Sequence, residues 1–111
     1  MIINQKEIVL LPFPFSNLEG TRVRPALVVS NDELNKKSED CIIVPLTTVI
    51  KEELYSVVIN QEDLSSGRLL KSSRIRTDKI FSVKKDLVTM KIGVVNDDVL
   101  EKVKKEIQNM F

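Results

Sequence analysis

Two basic segments hold the residues whose types and spacing could do chemistry. In the first, Leu18-Glu19-Gly20-Thr21-Arg22-Val23-Arg24-Pro25, two arginines flank one residue in a glycine-containing loop just ahead of a strand. Pro25 biases Arg24 toward extended backbone, and a guanidinium there offers a rigid fork of donors matched to phosphate oxygens. The second segment sets five basic side chains, Arg68, Lys71, Arg74, Arg76 and Lys79, against the single acid Asp78, a local charge of +4. On a strand, Arg74 and Arg76 share one face while Ser73 and Ile75 point to the other, and such a row can track a phosphate backbone. Phe13 and Phe15, set between prolines at a strand end, could stack exposed bases. Plainer explanations stand beside each: solvated loop arginines, an edge strand guarded by charge, and hydrophobes at the base of a loop.

Composition removes most other chemistries. There is no histidine, so nothing titrates near neutrality unperturbed, and the commonest general base and metal ligand is missing. With one cysteine as well, a zinc site of the usual kind is excluded, as is a Ser/His/Asp or Cys/His nucleophile. Three glycines cannot build a dinucleotide fingerprint, and neither a phosphate-binding glycine loop nor G-x-S-x-G is present. Glu52-Glu53 and Asp97-Asp98 read as solvated charge at a turn and at a helix start rather than as cation ligands. Cys41 lies in an apolar run, a small buried hydrophobe without a disulfide partner. No metal or other cofactor is expected.

The elements that must position these residues are short. The chain's 111 residues suit one domain, 1–111, with one core. Hydrophobic residues at 42% and charged residues at 30% make it globular, while 17 basic and 16 acidic side chains cancel to +1, so any nucleic-acid footprint is local. The N-terminus lacks a signal peptide's basic start and apolar stretch, and no apolar run could span a bilayer, so a soluble cytoplasmic protein without membrane contact is expected. Ile8–Leu11 forms a strand ended by Pro12-Phe13-Pro14-Phe15; Ser16–Val23 is a loop and Ala26–Val29 a second strand. Asn31–Asp40 is polar, with room for a helical turn. Cys41–Leu46, apolar throughout, suits a strand covered on both faces. Tyr55, Val57 and Ile59 alternate with Ser56, Val58 and Asn60 as in a strand of period two, and Asp63–Gly67 is turn-like. Further strands are expected around Ser73–Arg76, Ile80–Val83 and Met90–Val94. The last element is a helix: Asn96 caps it, Asp97 and Asp98 complement its dipole, and Val99, Leu100, Val103, Ile107 and Met110 form its apolar stripe. Many short strands and one long helix indicate an α+β fold with a small, strongly bent antiparallel sheet or barrel. The residues alone point to a module that contacts RNA or DNA.

Four ordered motifs resemble the toxins of the PemK/MazF family. Ile8-Val9-Leu10-Leu11-Pro12-Phe13-Pro14-Phe15-Ser16 followed by Arg24-Pro25-Ala26-Leu27-Val28-Val29-Ser30 is similar to that family's opening. Ile43-Val44-Pro45-Leu46-Thr47-Thr48 resembles its third strand, Ser73-Arg74-Ile75-Arg76-Thr77-Asp78-Lys79-Ile80 its "S-x-(V/I)-R-x-D" segment, and Ile92-Gly93-Val94 with the terminal helix its ending. The resemblance covers roughly residues 6–109, and four motifs in order are far more specific than one. It implies an SH3-like barrel of the PemK/CcdB kind with a C-terminal helix, a homodimer, a small MazE/PemI-like antitoxin as partner, and metal-independent, ribosome-independent cleavage of single-stranded RNA at short sequences. Arg24 and Thr47 match the family's residues at the scissile phosphate. One branch uses the pair matching Arg76 and Asp78, another the serine matching Ser73. Phe13, Phe15, Glu19, Arg22, Arg68, Lys71, Arg74 and Lys79 are then the expected RNA-binding residues.

In metal-free RNA cleavage the 2′-hydroxyl attacks the adjacent phosphate, leaving a 2′,3′-cyclic phosphate and a 5′-hydroxyl. That reaction needs a proton acceptor, a donor to the leaving oxygen, and positive charge on the phosphorane. Arg24 and Arg76 can supply charge and donors, and Thr47 and Ser73 can orient oxygens. Arginine, with a pKa above about 12, is a poor base, so Asp78 and Glu19 are the carboxylates to consider. The "R-x-D" branch also employs a first-loop histidine that this chain lacks, so its acid–base scheme does not transfer whole. Lys6-Glu7 stands where the family has Gly-Asp. Two other readings remain: a gyrase-poisoning toxin on the same fold, which lacks the Arg24-plus-Thr47 pair, and a family member that only binds RNA or a partner.

Overall fold

The computed structural model describes residues 1–13 and 22–111, with Phe13 and Arg22 as backbone only. Phe15 and Glu19 lie outside the described residues, as do the side chains of Phe13 and Arg22.

Strand β3 (Asp40–Thr47) is the axis of the molecule. Its odd positions, Cys41 and Ile43, enter one apolar cluster, and its even positions, Val44 and Leu46, enter another. A strand covered on both faces has no need of polar alternation, which is why this segment is apolar throughout. With β1 (Glu7–Phe13), β2 (Arg22–Val28), β4 (Ser56–Ile59), β5 (Leu64–Gly67), β6 (Ser73–Arg76), β7 (Phe81–Lys84) and β8 (Met90–Val95) it forms one curled antiparallel sheet, a half-barrel. The strand order is β4-β6-β3-β2-β1-β8-β5, and β7 pairs β3 alongside β6. β7 takes Asp40 to Ile43 and β6 takes Leu46 and Thr47.

The inner face gathers Ile8, Leu27, Val44, Leu46, Ile59 and Ile75 under helix α2 (Asp97–Gln108), whose Val99 and Val103 complete that cluster. The other face gathers Val9, Leu11, Ala26, Val28, Cys41 and Ile43 beneath Ile3 and Val88. Cys41 is buried here, and burial pushes its thiol above its ordinary pKa. A short helix, α1 (Asp32–Lys37), is capped by Asn31, whose side chain accepts from the Leu34 N–H at 2.9 Å. Beneath it Ser30 donates to Asn35 Oδ1 and accepts the Ile42 N–H, so this buried polar pair is satisfied.

Four boundaries differ from expectation. β1 runs through Pro12, which pairs Val23, because pairing with β8 ends at Leu10–Met90 and the missing N–H then leaves no gap in a ladder. β2 begins at Arg22 rather than Ala26, since the partner ladder of β1 continues that far. Tyr55 precedes β4 at φ +59 instead of joining it. Residues 64–67 are a strand, not a turn: weak strand formers are held there by pairing with β8.

Helix α2 has the expected cap, with Asn96 accepting the Val99 N–H at 2.9 Å. Asn96→Ala should cost about 1 kcal/mol, lowering the melting temperature by roughly 4–8 °C; an unchanged melting temperature would show that packing alone holds this helix. Among the described residues, no helix is long and apolar enough to cross a membrane.

Candidate nucleic-acid interface

The sheet register assembles the site. Arg24 pairs Leu11 in β1, and the β2–β3 ladder stops at Ala26–Pro45. Arg24 and Thr47 each lie two residues beyond that last pair, on the same side of adjacent strands. Thr47 is the cross-strand partner of Arg74, and Arg76 is two residues along from it, opposite Ser56. One face therefore carries Arg24, Thr47, Arg74 and Arg76. Ser73 and Ile75 turn the other way, as the alternation of β6 requires: Ile75 enters the inner cluster and Ser73 is buried.

The guanidinium groups on this face are incompletely satisfied. Arg24 Nε, Arg74 Nη1 and Arg76 Nε are buried and, among the described residues, have no hydrogen-bond partner. An unpaired buried donor costs about 1–3 kcal/mol, more when charged, so three on one face of a small protein call for an explanation. Arg74 Nη1 has the Glu53 carboxylate 3.6 Å away; an anion seated at Arg24 and Arg76 would answer the other two. Thr47 Oγ1 accepts the Val49 N–H at 3.2 Å, leaving its own proton to donate.

Carboxylates border the same face. Asp78 Oδ2 accepts from Arg76 Nη2 at 2.9 Å. Glu53 Oε1 lies 2.9 Å from Lys51 Nζ, and its Oε2 lies 3.6 Å from Arg74 Nη1. The hydrogen bond and charge of Lys51, with the charges of Arg74 and Arg76 farther off, hold the Glu53 carboxyl below its ordinary value of 4.5. A carboxylate with a lowered folded pKa stabilises the fold above its ordinary value, and loses that contribution as the pH falls through the lowered one. The melting-temperature gap between the wild type and Glu53→Gln should therefore be open at neutral pH and close below about pH 4. A gap that persists in acid would show that Glu53 acts by packing.

The remaining expected residues divide. Ser73 donates to the Lys71 carbonyl at 3.1 Å and, with Arg68, Lys71 and Thr48, borders an apolar groove of about 380 Å³ walled by Leu10, Pro25, Leu69 and Ile92. That groove opens on the side of the sheet opposite the arginines. Lys79 is exposed just past Asp78, its N–H closing a turn onto the Arg76 carbonyl. Arg74, expected to lie open along a phosphate track, is only 3% exposed. Sequence reasoning missed Glu53, which it took for solvated charge; only the register that brings β4 beside β6 reveals it. Among the described residues no group of three or more His, Cys, Asp or Glu could hold a metal ion.

Comparison with known proteins adds a family. Residues 4–111 match the model of the PemK-like, MazF-like toxins of type II toxin–antitoxin systems. The chain belongs to this PemK/MazF-like toxin family. No curated protein matches it by sequence. Among solved structures it resembles MazF in the MazE–MazF complex from Deinococcus radiodurans, with a TM-score of 0.81 at 20% identity over 99% of this chain and 96% of that one. It also resembles an endoribonuclease in complex with its cognate antitoxin from a mycobacterial species, with a TM-score of 0.79 at 19% identity over 96% and 92%. A third likeness is to the Mycobacterium tuberculosis toxin MazF-mt6, with a TM-score of 0.73 at 16% identity over 93% of each chain. At these identities the likeness is one of fold. The family's half-barrel and C-terminal helix are the architecture of this chain.

Proposed function

We propose that this PemK/MazF-family toxin is a sequence-specific, metal-independent and ribosome-independent endoribonuclease of the cytoplasm, acting as a homodimer on single-stranded RNA. The observation that carries the reading is the pair of buried guanidinium donors, Arg24 Nε and Arg76 Nε, that have no hydrogen-bond partner among the described residues, on the face that holds Thr47. A phosphodiester is the anion that matches it. Donors fixed before the substrate arrives are those most able to stabilise charge that develops on a phosphorane.

In this reading Arg24 and Arg76 bind the scissile phosphate and stabilise its developing charge, and Thr47 donates a hydrogen bond to a phosphate oxygen. The 2′-oxygen attacks phosphorus as its proton is taken up, the bond from phosphorus to the 5′-oxygen breaks, that oxygen takes a proton from solvent water, and the products are a 2′,3′-cyclic phosphate and a 5′-hydroxyl. Asp78 is the carboxylate placed to accept the 2′ proton, once the incoming phosphate has drawn Arg76 away from it. Ser73 faces the groove on the other side and is assigned no step. The relatives solved with antitoxins support a MazE/PemI-like partner for this chain, which would neutralise it by covering the arginine face.

The test is incubation of the purified protein with a long single-stranded RNA in excess chelator. Discrete cuts ending in cyclic phosphates are expected. Intact RNA with a folded protein would sink the proposal and favour a gyrase-directed or binding-only member of the family.

A further inference from the structure

The segment between β3 and β4, residues 48–55, borders the arginine face and is fastened at both ends. At one end the Val49 N–H donates to Thr47 Oγ1, and the Val49 carbonyl accepts from Arg74 Nε at 3.2 Å. At the other the Tyr55 carbonyl accepts from both the N–H and the hydroxyl of Thr77. Midway, Glu53 reaches Arg74 Nη1 with one carboxylate oxygen and Lys51 with the other. Arg74 is thus joined to the segment at two points four residues apart.

Its burial separates Arg74 from its neighbour. Arg76 keeps 31% of its side chain exposed and can meet a ligand from solvent, whereas Arg74 keeps 3% and lies against the segment. A phosphate could reach Arg74 only if that segment moved. The segment itself turns apolar side chains outward, with Val49 60% and Ile50 48% exposed, immediately after Thr47. Exposed apolar groups on a fastened segment beside a phosphate site can pack against the apolar faces of unpaired bases.

We propose that Arg74 is a positioning residue that pins residues 48–55, through the Val49 carbonyl and Glu53, so that Val49 and Ile50 hold a fixed surface against the bases beside the cut. The inference rests on the endoribonuclease reading and deepens it, placing part of substrate selection in a residue that never touches RNA. Losing the pin loosens binding before and during the reaction alike, so it acts on KM rather than on kcat.

The test compares wild type with Arg74→Met, Arg74→Lys and Glu53→Gln by amide hydrogen exchange without RNA and by kinetics on a short cleavable oligoribonucleotide. Arg74→Met should raise exchange within residues 48–55 and raise KM about tenfold, with kcat held within about twofold. It should also add cleavage sites on a long RNA and leave the salt dependence of binding unchanged, because no phosphate contact is lost. Glu53→Gln should move the same readouts less, and Arg74→Lys should recover part of the loss by restoring the charge opposite Glu53. Unchanged exchange in both Arg74→Met and Glu53→Gln overturns the pin. A collapse of kcat with a salt slope smaller by about one makes Arg74 a direct phosphate contact and overturns it too. Raised exchange with an unchanged KM overturns the role in selection. Should Arg74→Met fail to fold, Glu53→Gln decides by the same readouts. Intact RNA with the wild type would defeat the endoribonuclease reading, while exchange would still decide whether the pin exists.

Discussion

Arg24→Ala should abolish RNA cleavage and leave the protein as stable as the wild type, or slightly more so. The kinetic half follows from where the side chain stands: beside Thr47, on the face with Arg74 and Arg76, at the point where β2 and β3 part. Removing one preorganised donor from a developing oxyanion costs about 10²–10³ in kcat, and a guanidinium removes charge as well, so a loss of about 10³-fold or more is expected. The stability half follows from Arg24 Nε, which is buried and has no hydrogen-bond partner among the described residues. Deleting it discards a desolvation cost, so the change in stability should stay within about 1 kcal/mol. Arg24→Lys should rescue little, since an ammonium cannot reproduce the planar fork. Kinetics on a short oligoribonucleotide and a thermal melt would check both halves. Full activity in Arg24→Ala would remove this face from the chemistry.

Gly67→Ala should be the most damaging small substitution in the described part of the chain. Gly67 sits at φ +85, where an L side chain is strained by about 1–2 kcal/mol. A methyl group there would lie 2.3 Å from Gly93 Cα and 2.3 Å from the Ile92 carbonyl oxygen, both backbone atoms of the paired strand. No rotamer relieves such an overlap, so β5 must part from β8 at Gly67–Gly93. Strain and lost pairing together should cost about 3 kcal/mol or more, lowering the melting temperature by roughly 10 °C or more. A shift of only a degree or two would mean that β5 contributes little to the folded state.

What could be read from the chain before its structure follows from how local each signal is. Helix α2 was legible in full because its cap, its acidic first turn and its apolar stripe all lie within fifteen residues. β6 was legible through its alternation, which places Arg74 and Arg76 on one face and Ile75 in the core. β5 was not, because Ser65, Ser66 and Gly67 carry no strand signal and are held only by a partner some 28 residues away in sequence. The site divides in the same way. The four motifs named Arg24, Thr47, Arg76 and Asp78, and the register brings Arg24, Thr47 and Arg76 to one face with Asp78 on Arg76. Ser73 was named through the family resemblance, and the alternation of β6 places it, as expected, on the face opposite Arg74 and Arg76. Glu53 escaped notice because its meaning depends on β4 lying beside β6, which no local pattern encodes.

Thr47 ends β3, the strand clothed by apolar clusters on both faces and paired along both edges. Amides of such a strand exchange only through the rarest, most complete openings of a protein. The Thr47 hydroxyl, proposed to hold a phosphate oxygen, has no private way to melt. Through mild heat or denaturant, RNA cleavage by this chain should persist until the whole domain gives way, and activity and structure should vanish in a single transition.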